Sequence, residues 1–179
     1  MTTPVLETDR LRLRGHQLGD YPASCAMWGN PDVVRYISGR PSSPQQTWQR
    51  LLSYRGHWQL LDFGYWAIEE KTSGRFIGEV GFADYKRDLE PAMQGFPELG
   101  WALAPEVHGI GYGTEAVRAA IAWGDEHFPG SRTVCLISEE NAASIRIARK
   151  VGFAEFSGTT IDGKTVLFYE RIRAASKAP

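Results

Sequence analysis

The stretch Leu103-Ala104-Pro105-Glu106-Val107-His108-Gly109-Ile110-Gly111-Tyr112-Gly113-Thr114-Glu115-Ala116 decides how the chain is read. It opens at the end of an apolar segment, Glu98 to Leu103, that reads as a strand stopped by Pro105. It closes where the period changes: Ala116, Val117, Ala120, Ile121 and Phe128 recur at helical spacing. Three alternating glycines therefore stand between a strand and a helix, the context that gives a glycine string meaning. Glycine lets the backbone reach dihedrals closed to other residues and approach a ligand closely. The first N–H groups of a helix lack internal partners and sit at the positive end of its dipole, so a pyrophosphate suits them. Two nucleotide motifs do not fit. A P-loop needs Gly-Lys-Ser/Thr where this turn has Gly113-Thr114-Glu115, and the dinucleotide fingerprint, counted from Gly109, places its third glycine where Thr114 stands and usually follows the first strand. A turn that only caps a helix is the plain alternative at this point.

Working outward, Thr133 to Ile137 is a continuous apolar run, which suits a strand buried on both faces. Pro129-Gly130-Ser131 ends the helix before it. Asn141 to Val151 is helical, with Ile145, Ala148 and Val151 on one face and Gly152 at its end. Phe153 to Gly158 and Thr165 to Ile172 read as strands joined by a turn at Asp162-Gly163. Upstream, Leu11-Arg12-Leu13-Arg14 alternates as a half-buried strand. Asp20 to Trp28 is a helix, and Asn30-Pro31 caps a second one through Val33, Val34 and Ile37. Ser43-Pro44 starts a third that carries Trp48, Leu51, Leu52 and Tyr54 and ends near Leu60. Gly64 to Glu70 and Phe76 to Tyr85 form a hairpin about Thr72-Ser73-Gly74, and Arg87 to Pro97 is a surface loop.

Composition narrows the class. At 179 residues, 1–179 is expected to be one domain with one core. The formal charge of -1 shows no basic stripe, so no direct nucleic-acid role is expected. The chain has no apolar run long enough for a membrane span, and Met1 to Arg14 lacks the apolar centre of a signal peptide. Cys25 and Cys135 are too few for a disulfide framework, and Cys135 is expected to be a buried free thiol. A cytoplasmic protein fits all of this.

The glycine turn resembles the acyl-CoA pyrophosphate motif of the GNAT superfamily of N-acetyltransferases, and is closest to its RimJ/RimL branch, which acts on ribosomal-protein N-termini. His108 and Gly113 depart from the branch pattern at positions that vary. A second segment matches the same branch: Asn141-Ala142-Ala143-Ser144, then an apolar helix face, ending Lys150-Val151-Gly152-Phe153. The resemblance covers nearly the whole chain and is weakest in Arg40 to Leu60 and Arg87 to Pro97. It implies an α/β (α+β mixed) fold, a mixed but mostly antiparallel sheet of about seven strands flanked by about four helices.

The resemblance also implies roles. Acetyl-CoA is the cosubstrate and no metal is involved. Trp101, Ala102 and Leu103 lie on the strand that pairs with pantetheine, and His108, Gly109, Gly111, Tyr112, Gly113 and Thr114 form the phosphate turn. Asn141 holds the pantetheine arm or acetyl end, and Ser144 bonds the thioester sulfur and protonates the leaving thiolate. Ala148 stands where many GNAT enzymes carry a tyrosine acid. An amine attacks a thioester only when neutral, and amines have pKa values near 8 to 10.4, so the site needs a base. Glu98 is the first candidate and Glu79 the second; on either strand a solvated carboxylate is the plain alternative. Glu115 reads as a first-turn carboxylate favoured by the helix dipole. His16, His57, His108 and His127 have no metal-ligand spacing. Trp48, Trp58, Tyr65 and Trp66 read as core or groove wall. The expected acceptor is a peptide N-terminal α-amine or a small amine, the alternative function is a non-catalytic acyl-CoA sensor, and the chain is expected to be a monomer or homodimer.

Overall fold

Alternation and turn chemistry build the sheet. The computed structural model describes residues 2–91, 93, 95–128 and 132–173. Leu11–Arg14 forms strand β2 with both leucines buried and Arg12 exposed. A two-residue strand that the sequence does not announce, β1 (Leu6–Glu7), pairs with its outer edge. β3 (Tyr65–Glu70), β4 (Phe76–Ala83) and β5 (Glu98–Leu103) continue the antiparallel sheet. β6 (Arg132–Ser138) runs parallel to β5. The hairpin of β7 (Ala154–Ile161) and β8 (Lys164–Ile172) then places β8 against β6. Asp162 and Gly163 both have positive φ, 49° and 75°, as its two-residue turn requires. The order is β1-β2-β3-β4-β5-β6-β8-β7, eight strands among the described residues where about seven are expected.

Among the described residues five α-helices flank the sheet: α1 (Tyr21–Trp28), α2 (Pro31–Val34), α3 (Pro44–Leu61), α4 (Tyr112–His127) and α5 (Ala142–Lys150). The extra one over about four is α2, a single turn. The Asn30 side chain accepts from the Asp32 N–H at 2.9 Å, as expected, but α2 stops at Val34 rather than reaching Ile37. There the N–H groups of Ile37 and Gly39 both turn back to the Val34 carbonyl, leaving Ile37 exposed. α3 begins with a reciprocal cap: Ser43 Oγ accepts from the Gln46 N–H, and Gln46 Oε1 accepts from the Ser43 N–H. Its buried stripe is Thr47, Leu51, Tyr54 and Trp58. Trp48, expected in the core or groove wall, lies on the outer side with its ring edge against Tyr21.

The sheet has two covered faces. On one, Trp58, Trp66 and Trp123 meet edge to face with ring centres 4.8–5.4 Å apart, joining α3, β3 and α4. Val80, Phe82, Leu99 and Leu103 extend this core. On the other, Met27, Trp28, Val33 and Val34 pack on Ala102. The segment expected as a surface loop after Arg87 is anchored, because Met93 is buried with Val134 and Phe168. Cys135 is buried and free, and burial pushes its thiol pKa up. The expected helix stop at Pro129-Gly130-Ser131 lies outside the described residues. No helix among the described residues is long and apolar enough to cross a membrane.

Candidate active site

β5 and β6 form a fork. They share one register pair, Glu98 with Val134, plus the bond from the Val134 N–H to the Pro97 carbonyl at 3.1 Å. Beyond it no β5–β6 pair exists among the described residues, so the edge of β5 from Gly100 to Leu103 is open toward β6. Such an edge offers main-chain donors and acceptors to an extended partner. Leu103 brings the chain to the glycine turn, where the His108 imidazole bonds the Leu103 carbonyl at 2.9 Å.

At the open end of the fork stands the N-terminus of α4. Gly109 and Gly111 have φ of 79° and 91°, and Gly111 is the N-cap. From Gly109 through Thr114 no backbone N–H finds an acceptor among the described residues. A run of free N–H groups at a helix N-terminus is an anion cradle. Gly113 lets α5 approach, because a Cβ there would lie 2.9 Å from Ile147 Cδ1. The Tyr112 hydroxyl donates to Glu70 at 2.8 Å, so this side chain is structural and its backbone N–H faces the cradle.

The turn is fastened by residues that sequence reading missed. Arg10 Nη1 donates to the Ile110 carbonyl at 3.0 Å, inside the turn. Its Nε and backbone N–H both donate to Glu115, which also accepts from Thr8 Oγ1 at 2.6 Å. The guanidinium covers the Tyr112 ring at 4.5 Å. Glu115 is thus the first-turn carboxylate expected, and it also straps the turn between β1 and β2 to α4.

On the far side of the fork, Asn141 Oδ1 caps α5 by accepting from the Ser144 N–H at 3.1 Å. That leaves the Asn141 amide nitrogen and Ser144 Oγ without hydrogen bonds among the described residues. Asn141→Ala removes the cap and lowers stability by ~1 kcal/mol, while Asn141→Ser, which caps equally well, holds it. Thermal melts of the two variants check this; equal melting temperatures would remove the cap from the account.

The two carboxylates share one sheet face but differ in surroundings. Glu98 sits at the closed end of the fork, held by a two-point ion pair from Arg87 at 2.8 and 3.0 Å. Glu79 is fully buried, one strand over from β5 and opposite Ala102. Its Oε1 accepts from Trp28 Nε1 at 3.1 Å and from the Tyr54 hydroxyl. Among the described residues its Oε2 has no hydrogen-bond partner, and neither has the nearby Arg50 Nε, whose guanidinium lies 3.6 Å above the Trp28 ring. Burial pushes the Glu79 pKa up to about 7, against the pull of Tyr54, Arg50 and Trp28.

Tyr65 completes this wall. Its ring stacks on Tyr54 at 4.5 Å. A Cβ at Gly100 would lie 2.0 Å from the Tyr65 oxygen, so the hydroxyl rests against the backbone of the open strand. Trp28, Arg50, Tyr54, Tyr65 and Tyr85 carry no motif; only the fold assembles them. Trp101, Ala102 and Leu103 lie where expected on β5, with Trp101 half-buried. No cluster of three metal-ligating side chains occurs among the described residues.

The fold is shared with known proteins. Residues 10–154 match the acetyltransferase (GNAT) domain family. The Bacillus subtilis protein YkkB is 31% identical over 173 residues, 93% of this chain and 94% of that one. A GnaT-family acetyltransferase from Bordetella pertussis superposes with a TM-score of 0.83 at 32% identity, covering 94% of this chain and 99% of that one. A RimL ribosomal L7/L12 α-N-protein acetyltransferase, solved in complex with coenzyme A, shares the fold at 16% identity (TM-score 0.77, 95% and 98% covered). GNAT enzymes move acetyl groups from acetyl-CoA, and the cradle and open strand of this structure fit that cosubstrate. With the family model spanning most of its length, the chain belongs to the GNAT acetyltransferases and is an N-acetyltransferase.

Proposed function

We propose that the chain acetylates a primary amine, a peptide N-terminal α-amine or a small-molecule amine, by direct attack of that amine on the thioester of acetyl-CoA. The observation that supports this reading is the open β5 edge leading into the free N–H run at Gly109–Thr114. The cosubstrate supplies an activated acetyl carbonyl and a thiolate leaving group. Backbone N–H groups at Gly109, Gly111, Tyr112, Gly113 and Thr114 suit its pyrophosphate, and the Trp101–Leu103 edge suits its pantetheine arm. The Asn141 amide nitrogen and Ser144 Oγ, both uncommitted, stand across the fork. Ser144 donates a hydrogen bond to the sulfur as charge develops there.

The base is Glu79 rather than Glu98. Glu98 already has both oxygens in an ion pair, whereas Glu79 keeps Oε2 free and has a pKa near neutrality. It accepts the ammonium proton, directly or through one water. Arg87 and Glu98 instead tie the segment after β4 to the start of β5. The peptide-amine class rests on the RimJ/RimL likeness of the two motifs.

Thiol release tests the proposal. With acetyl-CoA and a panel of N-terminal peptides, amino acids, polyamines and aminoglycosides, release is expected only when an accepted amine is present. Cosubstrate binding without release on any member would favour a sensor.

A further inference from the structure

The wall around Glu79 carries one charge that acetyl transfer itself does not use. Arg50 stands on α3 one turn before Tyr54, on the flank of the helix's buried stripe. The same flank carries His57 two turns further on, and its ring meets the Tyr85 ring with centres 5.9 Å apart. This side of α3 therefore faces the acceptor wall. The Arg50 guanidinium carbon lies 3.6 Å from the centre of the Trp28 ring. Trp28 in turn packs on Ala102 of the open β5 edge and donates to Glu79.

Stacking fixes which edge of the guanidinium is on offer. A planar cation is held by the negative face of an indole, and its N–H groups are left to point sideways. Nε is closed off from solvent and has no acceptor among the described residues. Nη1 and Nη2 donate to nothing there either, but neither is closed off. The accessible edge is thus the Nη1–Nη2 pair, two donors that match the two oxygens of a carboxylate.

The neighbouring charges leave this edge free. Lys86 holds Asp84, and Arg87 holds Glu98. Arg50 is half-buried and has no ion pair among the described residues. A cation taken partly out of water is costly until something of opposite charge pairs with it. An acceptor that brings only an ammonium is repelled by this charge, whereas one that also brings a carboxylate pairs with it.

We propose that Arg50 determines acceptor specificity: the amine to be acetylated belongs to a molecule that also carries a carboxylate, which Arg50 binds end-on. The inference rests on the acetyl-transfer reading of the fork. Two sources share this chemistry, the carboxylate of a free α-amino acid and an acidic side chain beside a peptide's N-terminus.

Matched acceptor pairs test it: alanine against alaninamide, and an amidated peptide with glutamate as its second residue against the same peptide with glutamine. Thiol release gives the kcat/KM ratio within each pair for wild type, Arg50→Gln and Arg50→Lys. The wild type is expected to favour the acid member of one pair by more than about tenfold, mainly through KM, and the pair that responds names the source. Arg50→Gln brings that ratio close to one, and Arg50→Lys, which keeps the charge without the planar fork, restores part of it. Comparing variants within one pair cancels the difference in amine basicity, and a merely structural defect lowers both members alike. A ratio near one in both wild-type pairs, or an unchanged ratio in Arg50→Gln, would overturn the proposal. Calorimetric titration of the acetylated acids and their amides, with coenzyme A present, separates the two readings. Acid binding that is tighter than amide binding and depends on Arg50, without thiol release from any acceptor, would sink the transfer reading and keep the Arg50 site. Thiol release with no preference between acid and amide would do the reverse.

Discussion

Glu79→Gln lowers kcat/KM by about 10²–10⁴-fold, the usual range for loss of a positioned base. The pH profile separates this from a structural effect. Glu79 must be ionised to accept a proton, so wild-type activity rises as pH increases through about 7. In the variant that limb disappears, and any remaining rise follows the amine itself. Stability moves the other way. A carboxyl whose folded pKa is raised from 4.5 to about 7 contributes stability that is fully present below pH 4.5 and is lost progressively as pH rises from there through about 7. The difference amounts to about 3 kcal/mol. Glutamine keeps an acceptor for Trp28 and Tyr54 and never ionises. The variant should therefore melt no lower than wild type above pH 7 while its turnover collapses. Stopped thiol release at several pH values and parallel melts read both quantities. Retention of most activity in Glu79→Gln, with loss in Glu98→Gln, would transfer the base to Glu98.

Gly100→Ala costs both fold and function, and a second substitution restores them. The added methyl would lie 2.0 Å from the Tyr65 oxygen but 3.1 Å from the ring carbon that bears it. Either the tyrosine leaves its stack on Tyr54 or β5 bends away. Overpacking of this kind costs roughly 1–3 kcal/mol. Because the strain falls on the strand whose edge is proposed to receive pantetheine, the KM for acetyl-CoA is expected to rise with it. Tyr65→Phe removes the clashing oxygen, so the double variant should recover most of the stability lost by Gly100→Ala alone. The coupling energy from a double-mutant cycle is the measurement. Additive effects would show that the glycine serves backbone geometry alone.

What could be read beforehand was local. The glycine turn, the Ser43 cap, the Asn141 cap and the hairpin at Asp162-Gly163 are each written within a few residues, and each forms as its chemistry dictates. The long amphipathic segments also declare themselves by period. β1 did not, because two residues carry no period, and α2 was over-extended because Ile37 continues its apolar spacing. The site was half legible for the same reason. Asn141, Ser144 and the cradle lie inside motifs. The environment of Glu79 does not: Trp28 and Tyr54 come from 51 and 25 residues away. From sequence, Glu79 and Glu98 are two charged residues on neighbouring strands, and nothing local tells which is buried and which is already paired.

Arg10 reaches Glu115 across 105 residues and grips the carbonyl of Ile110. A short segment ahead of a domain's first long strand is ordinarily among its most dispensable parts. Here it acts as the clasp on a loop from the second half of the molecule. Trimming back to the first long strand would leave every residue of the glycine motif in place and yet release the shape that makes the motif useful. The chain's two halves are thus bound to one fate: a change at position 8 or 10 reaches the glycine turn as directly as one within it.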